Sequence, residues 1–260
     1  MNEQSNKQKN TVIVIMAGGL GKRMNSSLPK VLHKIKGIPM IVQLINQSKQ
    51  INPKKILIIV GKYKDIITQT INNYCGLDKI TFIEQMESLG TGHAIQCCRN
   101  ELMKYMDSTV LILSGDTPLL TSKTMKSMTT SLNNVKIAVT TLLNPEGYGR
   151  VKSIYDIIGL SNNNTVDKII EDKDCTEKEK KILLVNCGLY AFNCDILCKY
   201  LPYINNNNAQ NEYYLTDIIE IIKNKENINI YMHIIPYNNH YEIMGVNTQE
   251  QLKSLENMIK

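Results

Sequence analysis

The sequence predicts an α/β fold with a doubly wound, mostly parallel sheet and a small β-rich insertion. The first observation is a regular alternation of short apolar runs and amphipathic helical patterns through the first half of the 260 residues. The second is a less regular second half, in which short strand-like segments come close together. A hydrophobic content of 43% is enough for a substantial core. These features favour a parallel sheet covered by helices on both faces.

The first half contains five predicted strands, and four predicted helices connect them. The strands are expected at residues 11–17, 55–61, 79–84, 109–114 and 136–142. The helices are expected at residues 40–50, 65–74, 92–105 and 121–132. Strands that alternate with helices in this way are typical of parallel pairs joined by right-handed crossovers.

The second half predicts an inserted β layer, one further core strand and a closing helix. The segments are strands at 150–154, 168–171, 183–193 and 228–235, and helices at 212–223 and 248–260. Thr248 is followed three residues later by Gln251, which is the spacing of a capping box. We expect one continuous domain over residues 11–260, preceded by a disordered Asn-, Gln- and Lys-rich tail at residues 1–10.

The composition narrows the classes of function. A net charge of +6 suits anionic ligands, but no basic helix with interleaved aromatic residues predicts nucleic-acid binding. The seven cysteines form no Cys-x-x-Cys pair and follow no signal peptide, so we expect reduced thiols in a cytoplasmic protein. The four scattered histidines make a zinc site a poor explanation. No apolar run is long enough for a membrane span.

A glycine-rich loop directly follows the first predicted strand. Three glycines lie within residues 18–21, and Arg23 and Lys30 follow them. Exposed glycine amides and nearby cations are suited to a polyphosphate. Met24 stands where a dinucleotide fingerprint needs glycine, and Arg23 stands where a P-loop needs Ser or Thr. An ordinary strand-to-helix turn with solvated charges is the alternative.

Polar residues also follow two other predicted strands. Gln85 comes directly after the third strand, and Ser114, Gly115 and Asp116 come at the end of the fourth. Ligands of open α/β sheets bind outside the carboxyl ends of the strands, where these residues and the glycine loop meet. A polyphosphate loop, a planar amide that can read a base and an acidic side chain together predict a nucleotide site.

Eight segments, taken in order along the chain, resemble one known family. They are MAGGLGKRMNSSLPKVLHKIKGIPM (16–40), EQMESLGTGHA (84–94), LSGDTPLL (113–120), NPEGYGRV (144–151), EDKD (171–174), VNCGLYAFN (185–193), NNAQNEYYLTDII (207–219) and GVN (245–247). Together they resemble the uridylyltransferase domain of the bacterial bifunctional enzymes that make UDP-N-acetylglucosamine. The segments at 89–94 and 208–217 are the most specific of them.

The resemblance implies a Rossmann-like nucleotidyltransferase fold and a Mg²⁺-dependent reaction. UMP is transferred from UTP to N-acetylglucosamine-1-phosphate, giving UDP-N-acetylglucosamine and pyrophosphate. A nucleotide-binding half is then expected at about 11–145, a sugar-binding half at about 146–247 and a closing helix at 248–260. The bifunctional relatives continue into an acetyltransferase β-helix, for which we expect no room before Lys260.

The resemblance also implies roles for individual residues. The catalytic cations are Arg23 and Lys30, and the metal ligands are Asp116 and Asn247. The nucleotide-binding residues are Met16, Ala17, Gly18, Gly19, Gln85, Gly90 and Thr91. The sugar-binding residues are Ser114, Gly115, Gly149, Glu171 and Asn186. Each has a structural alternative, such as a helix cap for Asp116, a turn for Asn247 or a solvated charge for Glu171.

Two other functions stay open. One is a related sugar-1-phosphate nucleotidyltransferase that uses glucose-1-phosphate with UTP or dTTP. The other is a catalytically silent regulatory homologue, which would be expected to lose Arg23, Lys30 or Asp116. The expected partners are UTP and N-acetylglucosamine-1-phosphate, with no nucleic acid and no membrane. The sequence leaves the oligomeric state open.

Overall fold

The computed structural model describes residues 9–153 and 165–258, and these residues form one large sheet with helices on both faces. The strands are β1 (Thr11–Met16), β2 (Lys34–Ile35), β3 (Ile38–Pro39), β4 (Lys55–Val60), β5 (Ile80–Glu84), β6 (Thr109–Ser114), β7 (Val135–Thr141), β8 (Arg150–Lys152), β9 (Thr165–Val166), β10 (Lys168–Ile170), β11 (Leu184–Asn193) and β12 (Ile230–Ile234). Every strand predicted from the sequence is found within two residues of its expected ends, where those ends are described.

The central sheet has the order β5-β4-β1-β6-β11-β7-β12-β9. Strands β5, β4, β1 and β6 are parallel neighbours, β11 is antiparallel to both β6 and β7, and β12 is parallel to β7. The predicted inserted layer is the antiparallel pair β8–β10, which joins the sheet through β11. The mostly parallel, doubly wound sheet with a small antiparallel addition is therefore confirmed.

The described part of the chain contains seven α-helices, of which the first six lie between strands and α7 follows the last strand. They are α1 (Met40–Lys49), α2 (Lys64–Cys75), α3 (Thr91–Leu102), α4 (Ser122–Thr129), α5 (Cys194–Tyr200), α6 (Asp217–Glu226) and α7 (Gln249–Met258). The first two and α4 enclose one buried cluster with one face of the sheet, and α3, α5 and α6 enclose another on the opposite face. Alternate residues of β1 point into these two clusters, which explains its unbroken apolar sequence.

The helix predicted at residues 212–223 is wrong at its start. It begins at Asp217 and extends to Glu226. The backbone before Asp217 forms hydrogen bonds with another segment. The amide of Tyr213 donates to the carbonyl of Leu89 at 2.8 Å, and the carbonyl of Tyr213 accepts from the amide of Gly92 at 2.7 Å. A backbone that bonds to a distant loop cannot also form helical hydrogen bonds. The short helix α5 had no prediction, because its apolar residues merge with those of β11.

Some sequence predictions fall partly outside the described residues. Residues 1–8 of the predicted tail, residue 154 of one predicted strand and residues 259–260 of the closing helix lie there. The carbonyl of Asn10, within the predicted tail, accepts a hydrogen bond of 2.8 Å from the amide of Thr109.

All seven cysteines lie in the described ranges, and none forms a disulfide. Burial raises the pKa of the Cys98 and Cys187 thiols, so both stay protonated and unreactive at neutral pH. Among the helices of residues 9–153 and 165–258, none has the length and apolar character needed to cross a membrane.

Candidate functional site

A cavity of about 330 Å³ opens where β1, β5 and β6 end. Every residue predicted to bind nucleotide lines it, together with one predicted catalytic cation, one predicted metal ligand and one predicted sugar contact: Met16, Ala17, Gly18, Gly19, Gln85, Gly90, Thr91, Lys30, Asp116 and Ser114. The carboxyl ends of three parallel strands thus bring together residues that lie 100 positions apart in the sequence. This is the location at which open α/β sheets bind ligands.

Lys30 packs against the backbone of the glycine loop. Gly21 has a φ of +61°, and a Cβ at this position would lie 2.7 Å from the Cβ of Lys30. Only glycine accepts both the left-handed conformation and this close approach. The loop residues before it, Gly18 and Gly19, form one wall of the cavity. The loop sequence therefore fixes where the Lys30 side chain emerges.

Lys30, Asp116, Asn247 and Arg23 form one polar cluster, which we call the charged cluster. The Lys30 ammonium donates to Asp116 Oδ2 and, at 3.1 Å, to Asn247 Oδ1. Arg23 Nη2 donates to the same Asn247 oxygen at 2.9 Å. The side chains of Lys30 and Asp116 are only 16% and 13% exposed, so this ion pair is partly shielded from water. Two cations and two oxygen-bearing side chains thus meet in one cluster, of which Lys30 and Asp116 line the cavity.

The two oxygen-bearing residues of the charged cluster are held by neighbouring structure. Ser114 Oγ donates to Asp116 Oδ1 at 2.7 Å, which orients the carboxylate. The amide of Asn247 donates at 2.7 Å to Gln251 Oε1. That oxygen also accepts from the amide of Thr248, whose hydroxyl in turn accepts from the amide of Gln251. The predicted capping box is therefore present, and it anchors Asn247 as well as the start of α7.

Asp116 does not cap the helix that follows it. The N-cap of α4 is Thr121, whose hydroxyl accepts from the amide of Thr124 at 3.2 Å. Asp116 instead keeps its carboxylate toward the cavity, where Lys30 and Ser114 contact it. The structural alternative for this aspartate is excluded by the position of the true cap.

Gln85 also lines the cavity and is 6% exposed. Its backbone amide donates to the carbonyl of Val60 at 2.8 Å, which extends the pairing of β5 with β4 by one residue. Its side-chain Nε2 lies 3.2 Å from the carbonyl oxygen of Gly90 and 3.1 Å from His93 Nδ1. The amide is thus fixed by two contacts beyond its own strand, unlike a solvated surface glutamine.

The segment at residues 212–216 braces the loop that follows Gln85. Gly90 has a φ of +111°, and a Cβ there would lie 2.5 Å from the carbonyl oxygen of Tyr213. The hydroxyl of Thr91 accepts from the amide of Leu215 at 3.0 Å. Close packing of two backbones at a left-handed glycine explains why this loop and this segment both carry distinctive sequences. The Asn-Ala-Gln-x-Glu-Tyr-Tyr segment thus braces the loop at the predicted nucleotide site.

Of the four remaining predicted sugar contacts, none of which lines the cavity, three form a second group: Gly149, Glu171 and Asn186. A Cβ on Gly149 would lie 3.6 Å from both the Cβ of Asn186 and Oε2 of Glu171. Asn186 Nδ2 donates to the Tyr190 hydroxyl at 2.6 Å, and Asn186 Oδ1 accepts from the amide of Gly188 at 3.2 Å. Each amide atom of Asn186 therefore keeps one position for a further partner. Gly115 lies against the first strand, where its amide donates to the carbonyl of Met16 at 2.9 Å.

Glu171 connects the group of predicted sugar-binding residues to the 212–216 segment. The Thr216 hydroxyl donates to Glu171 Oε1 at 2.8 Å. Burial raises the pKa of Glu171, and the nearby carboxylates of Asp174 and Asp172 raise it further, while the Thr216 hydrogen bond opposes the shift. Asp217, also near Glu171, has its pKa raised to about 6 by burial and by the charge of Glu171. Near neutral pH, repulsion between these buried acidic residues therefore lowers the free energy of unfolding.

We expect Asp217→Asn to stabilise the protein at pH 8 and to leave its stability unchanged near pH 4. The folded protein holds the proton of Asp217 up to pH about 6, whereas the unfolded chain releases it near 3.8. Stability from this group is therefore full below pH 3.8 and lost as the pH rises through 6. Because the side chain is partly exposed, we expect a gain of about 1 kcal/mol at pH 8.

Urea unfolding at the two pH values measures this effect. Glu220→Gln, on the exposed face of the same helix, removes one of the charges that raise the pKa of Asp217, so it should give a smaller gain at pH 8 and little change at pH 4. An Asp217→Asn variant whose stability changes by the same amount at pH 4 and pH 8 would show that the charge of this carboxyl carries no free-energy cost in the folded state.

Sequence reasoning missed several residues that line the cavity. They are Val31, Ile59, Ser88, Ala94 and Glu212. Glu212 had a signal, since it belongs to the distinctive 208–217 segment, but its distance from the glycine loop in sequence hid its place beside the cavity. The apolar residues had none, because a cavity wall and a buried core give the same sequence pattern.

The charged cluster suits a hard divalent cation. The ammonium of Lys30 already lies where oxygens of Asp116 and Asn247 converge, so this point attracts positive charge. Carboxylate and amide oxygens are the donors that Mg²⁺ prefers, and this ion keeps several ligands from water or substrate. Among residues 9–153 and 165–258, no group of three or more His, Cys, Asp or Glu side chains could hold a metal by itself. A cation here would therefore depend on substrate oxygens.

Comparisons with known proteins agree with this geometry. Residues 13–162 match the family profile of the MobA-like NTP transferase domain. The chain is 41% identical over 261 residues to a probable UDP-N-acetylglucosamine pyrophosphorylase of Acanthamoeba polyphaga mimivirus, covering 99% of each protein. It is 40% identical to the bifunctional protein GlmU of Clostridium botulinum (strain 657 / Type Ba4), covering 94% of this chain and 50% of GlmU. The chain thus spans about half the length of that relative.

A comparison of structures supports the fold. A UDP-glucose pyrophosphorylase complexed with UDP-glucose superposes with a TM-score of 0.70 and 14% sequence identity, covering 96% of this chain and 98% of that one. At this level of identity the likeness concerns the arrangement of strands and helices.

Proposed function

The chain belongs to the family of MobA-like NTP transferases, with UDP-N-acetylglucosamine pyrophosphorylases among its relatives, and on this premise we propose that it transfers UMP from UTP to N-acetylglucosamine-1-phosphate. The products are UDP-N-acetylglucosamine and pyrophosphate. The observation that carries the proposal is that Gln85 and the Lys30–Asp116 pair lie at one cavity. A base-reading amide and a phosphate-binding charged cluster in one cavity are what a nucleoside triphosphate requires.

The phosphates of UTP lie along the glycine loop in this proposal. The backbone of Gly18 and Gly19 lines the cavity wall there, and Lys30 emerges beside it. Arg23 lies next to Lys30 through their shared contact with Asn247 Oδ1. Lys30 then contacts the phosphate that reacts, and Arg23 neutralises the leaving pyrophosphate. Phosphoryl-type transfer relies on such positioning and charge neutralisation and needs no covalent enzyme intermediate.

Asp116 and Asn247 would hold a Mg²⁺ ion together with oxygens of the triphosphate. When bound, such an ion withdraws charge from the phosphate oxygens and aligns the reacting groups. The residues of this chain prepare the position: Ser114 orients the Asp116 carboxylate, and the capping box holds Asn247. Lys30 then exchanges part of its contact with Asp116 for contact with a phosphate oxygen.

The sugar phosphate lies between the charged cluster and the group of Gly149, Glu171 and Asn186. Burial raises the pKa of the Tyr148 phenol, and the nearby Cys187 thiol and Asp116 carboxylate raise it further, so this phenol lies near the charged cluster and near Cys187, which follows Asn186 in the chain. In this arrangement the phosphate oxygen of the sugar attacks the α-phosphorus of UTP, and the bond to the β-phosphate oxygen breaks. Glu171 accepts a hydrogen bond from a sugar hydroxyl, and Asn186 contacts the sugar or its acetamido group.

We propose that different parts of the chain bind the two substrates. Residues 11–145 supply the nucleotide side of the site, residues about 146–247 supply the sugar side, and the helix at 248–260 supports Asn247. The sheet is continuous across the first two parts, since β11 pairs with both β6 and β7.

A substrate screen that follows pyrophosphate release tests the proposed function. With magnesium present, we expect the highest kcat/KM for UTP with N-acetylglucosamine-1-phosphate, and about tenfold or more lower values for glucose-1-phosphate. A preference for glucose-1-phosphate, with UTP or dTTP, would assign the chain to the related sugar nucleotidyltransferases. No pyrophosphate from any pair would indicate a silent homologue.

A further inference from the structure

The side-chain amide of Gln85 has both of its N–H groups engaged by protein acceptors. One acceptor is the carbonyl oxygen of Gly90, at 3.2 Å, and the other is His93 Nδ1, at 3.1 Å. A carbonyl oxygen can only accept, so the nitrogen of the amide must face Gly90. Because the amide nitrogen can only donate, His93 Nδ1 must accept, and the proton of the neutral ring lies on Nε2. His93 Nε2 faces Cys97 Sγ at 3.9 Å.

The orientation of the amide decides what Gln85 presents to a ligand. With both hydrogens engaged, Oε1 is the atom of the side-chain amide that stays available. It lies 3.2 Å from where a Cβ on Gly18 would be, at the wall of the cavity made by the glycine loop. Gln85 therefore offers a hydrogen-bond acceptor, and no donor, to a base in the cavity.

From these contacts we propose that His93 is a positioning residue that sets base selectivity by holding Oε1 of Gln85 toward the nucleotide. An acceptor at this point favours a pyrimidine with an N–H at position 3, as in uracil or thymine. Cytosine has an unprotonated N3, which also accepts, and it would face Oε1 without a hydrogen bond. The inference deepens the proposed function and rests on it for the presence of a pyrimidine nucleotide in this cavity.

The ring of His93 is itself held in place. It lies in the first turn of α3, and its centroid is 6.1 Å from that of Tyr213 at an interplanar angle of 41°. Tyr213 is fixed through its backbone to Leu89 and Gly92, on both sides of Gly90. The two acceptors for Gln85 are thus parts of one braced unit. If His93 were only a spacer against Tyr213, its acceptor atom would not matter.

Two substitutions of similar size separate these roles. His93→Asn and His93→Leu both remove the ring, but only asparagine places an acceptor, Oδ1, where Nδ1 of histidine stands. The affinities for UTP and CTP are measured by calorimetry on each purified variant. The wild type should prefer UTP. We expect His93→Leu to reduce the UTP/CTP affinity ratio about tenfold, and His93→Asn to keep it within about threefold.

The affinity ratio stays informative if a variant is partly misfolded. Both nucleotides are titrated into the same sample, so an inactive fraction does not alter the ratio of affinities. His93→Phe keeps an aromatic ring beside Tyr213 without an acceptor, and it should behave as His93→Leu does. Equal ratios for the leucine and asparagine variants, or a leucine variant with the wild-type ratio, would overturn the inference.

The outcomes also distinguish this inference from the proposed function. Pyrophosphate release tests the proposed function, and the UTP/CTP affinity ratio tests the role of His93. A wild type that prefers UTP over CTP but releases no pyrophosphate contradicts only the proposed function. A wild type that turns over UTP and CTP equally well contradicts only the role of His93.

Discussion

Asp116→Asn is expected to reduce kcat/KM about a thousandfold while the protein stays folded. The substitution removes the negative charge that would hold a divalent cation, and its single amide oxygen can accept from Ser114 or from Lys30 but not from both. The activity falls because negative charge is lost beside the reacting phosphates, while the shape of the site is kept. Because the ion pair is only partly shielded, we expect the melting temperature to fall by about 2–4 °C.

Steady-state pyrophosphate release over a range of magnesium concentrations, together with calorimetric melting, measures both effects. Asp167→Asn is the matched control, since Asp167 is paired with Lys223 away from the cavity. It should lower stability to a similar degree without changing kcat/KM. Parallel losses of stability and activity in Asp116→Asn would argue that this carboxylate has a structural role instead.

Lys30→Met is the second substitution with a large expected effect. Methionine keeps the length and the apolar stem beside Gly21, but it removes the ammonium that contacts both Asp116 and Asn247. Loss of one fixed donor at a phosphoryl-transfer site typically costs about 100- to 1,000-fold in rate, and we expect kcat/KM to fall in that range. Lys30→Arg keeps the charge with a different geometry, so its loss should be smaller.

The double variant Lys30→Met/Asp116→Asn tests whether these residues act as one unit. Groups that act together lose activity non-additively, so the double variant should be about as slow as the slower single variant. Rates that multiply would show two independent contributions. A Lys30→Met protein that keeps kcat/KM within about threefold would remove the charged cluster from the reacting centre.

Much of the fold follows from the sequence because its determinants are local. The strands β1, β4 and β6 are nearly continuous apolar segments, and such segments indicate a sheet buried on both faces. The start of α6 does not follow from local pattern. The sequence predicts a helix from residue 212, yet the backbone of residues 212–216 bonds to the loop before α3 and to Thr91 at its start. A tertiary contact overrides propensity there, and only the three-dimensional arrangement reveals it.

The candidate site divides in the same way. The glycine loop, Gln85 and Asp116 each follow a predicted strand, so the topology rule for parallel sheets is sufficient to place them at one edge. Asn247 and Glu212 lie far from those strands in sequence, and they reach the site through helix capping and a long connection. His93 shows a third case. Its position in α3 is predictable, but its contact with Gln85 depends on side-chain geometry.

The contact of Arg23 with Asn247 joins residues 224 positions apart, and that of Lys30 with Asn247 joins residues 217 positions apart. Closing such long loops costs conformational entropy that local contacts must first offset. The sheet edge with the glycine loop can form early from nearby segments, but the charged cluster cannot be complete until the turn before α7 has docked. The cavity also needs Glu212 and the 212–216 segment that braces Gly90 and Thr91, and the charged cluster needs Asn247 as well. The charged cluster is therefore complete only when segments from distant parts of the chain have all docked.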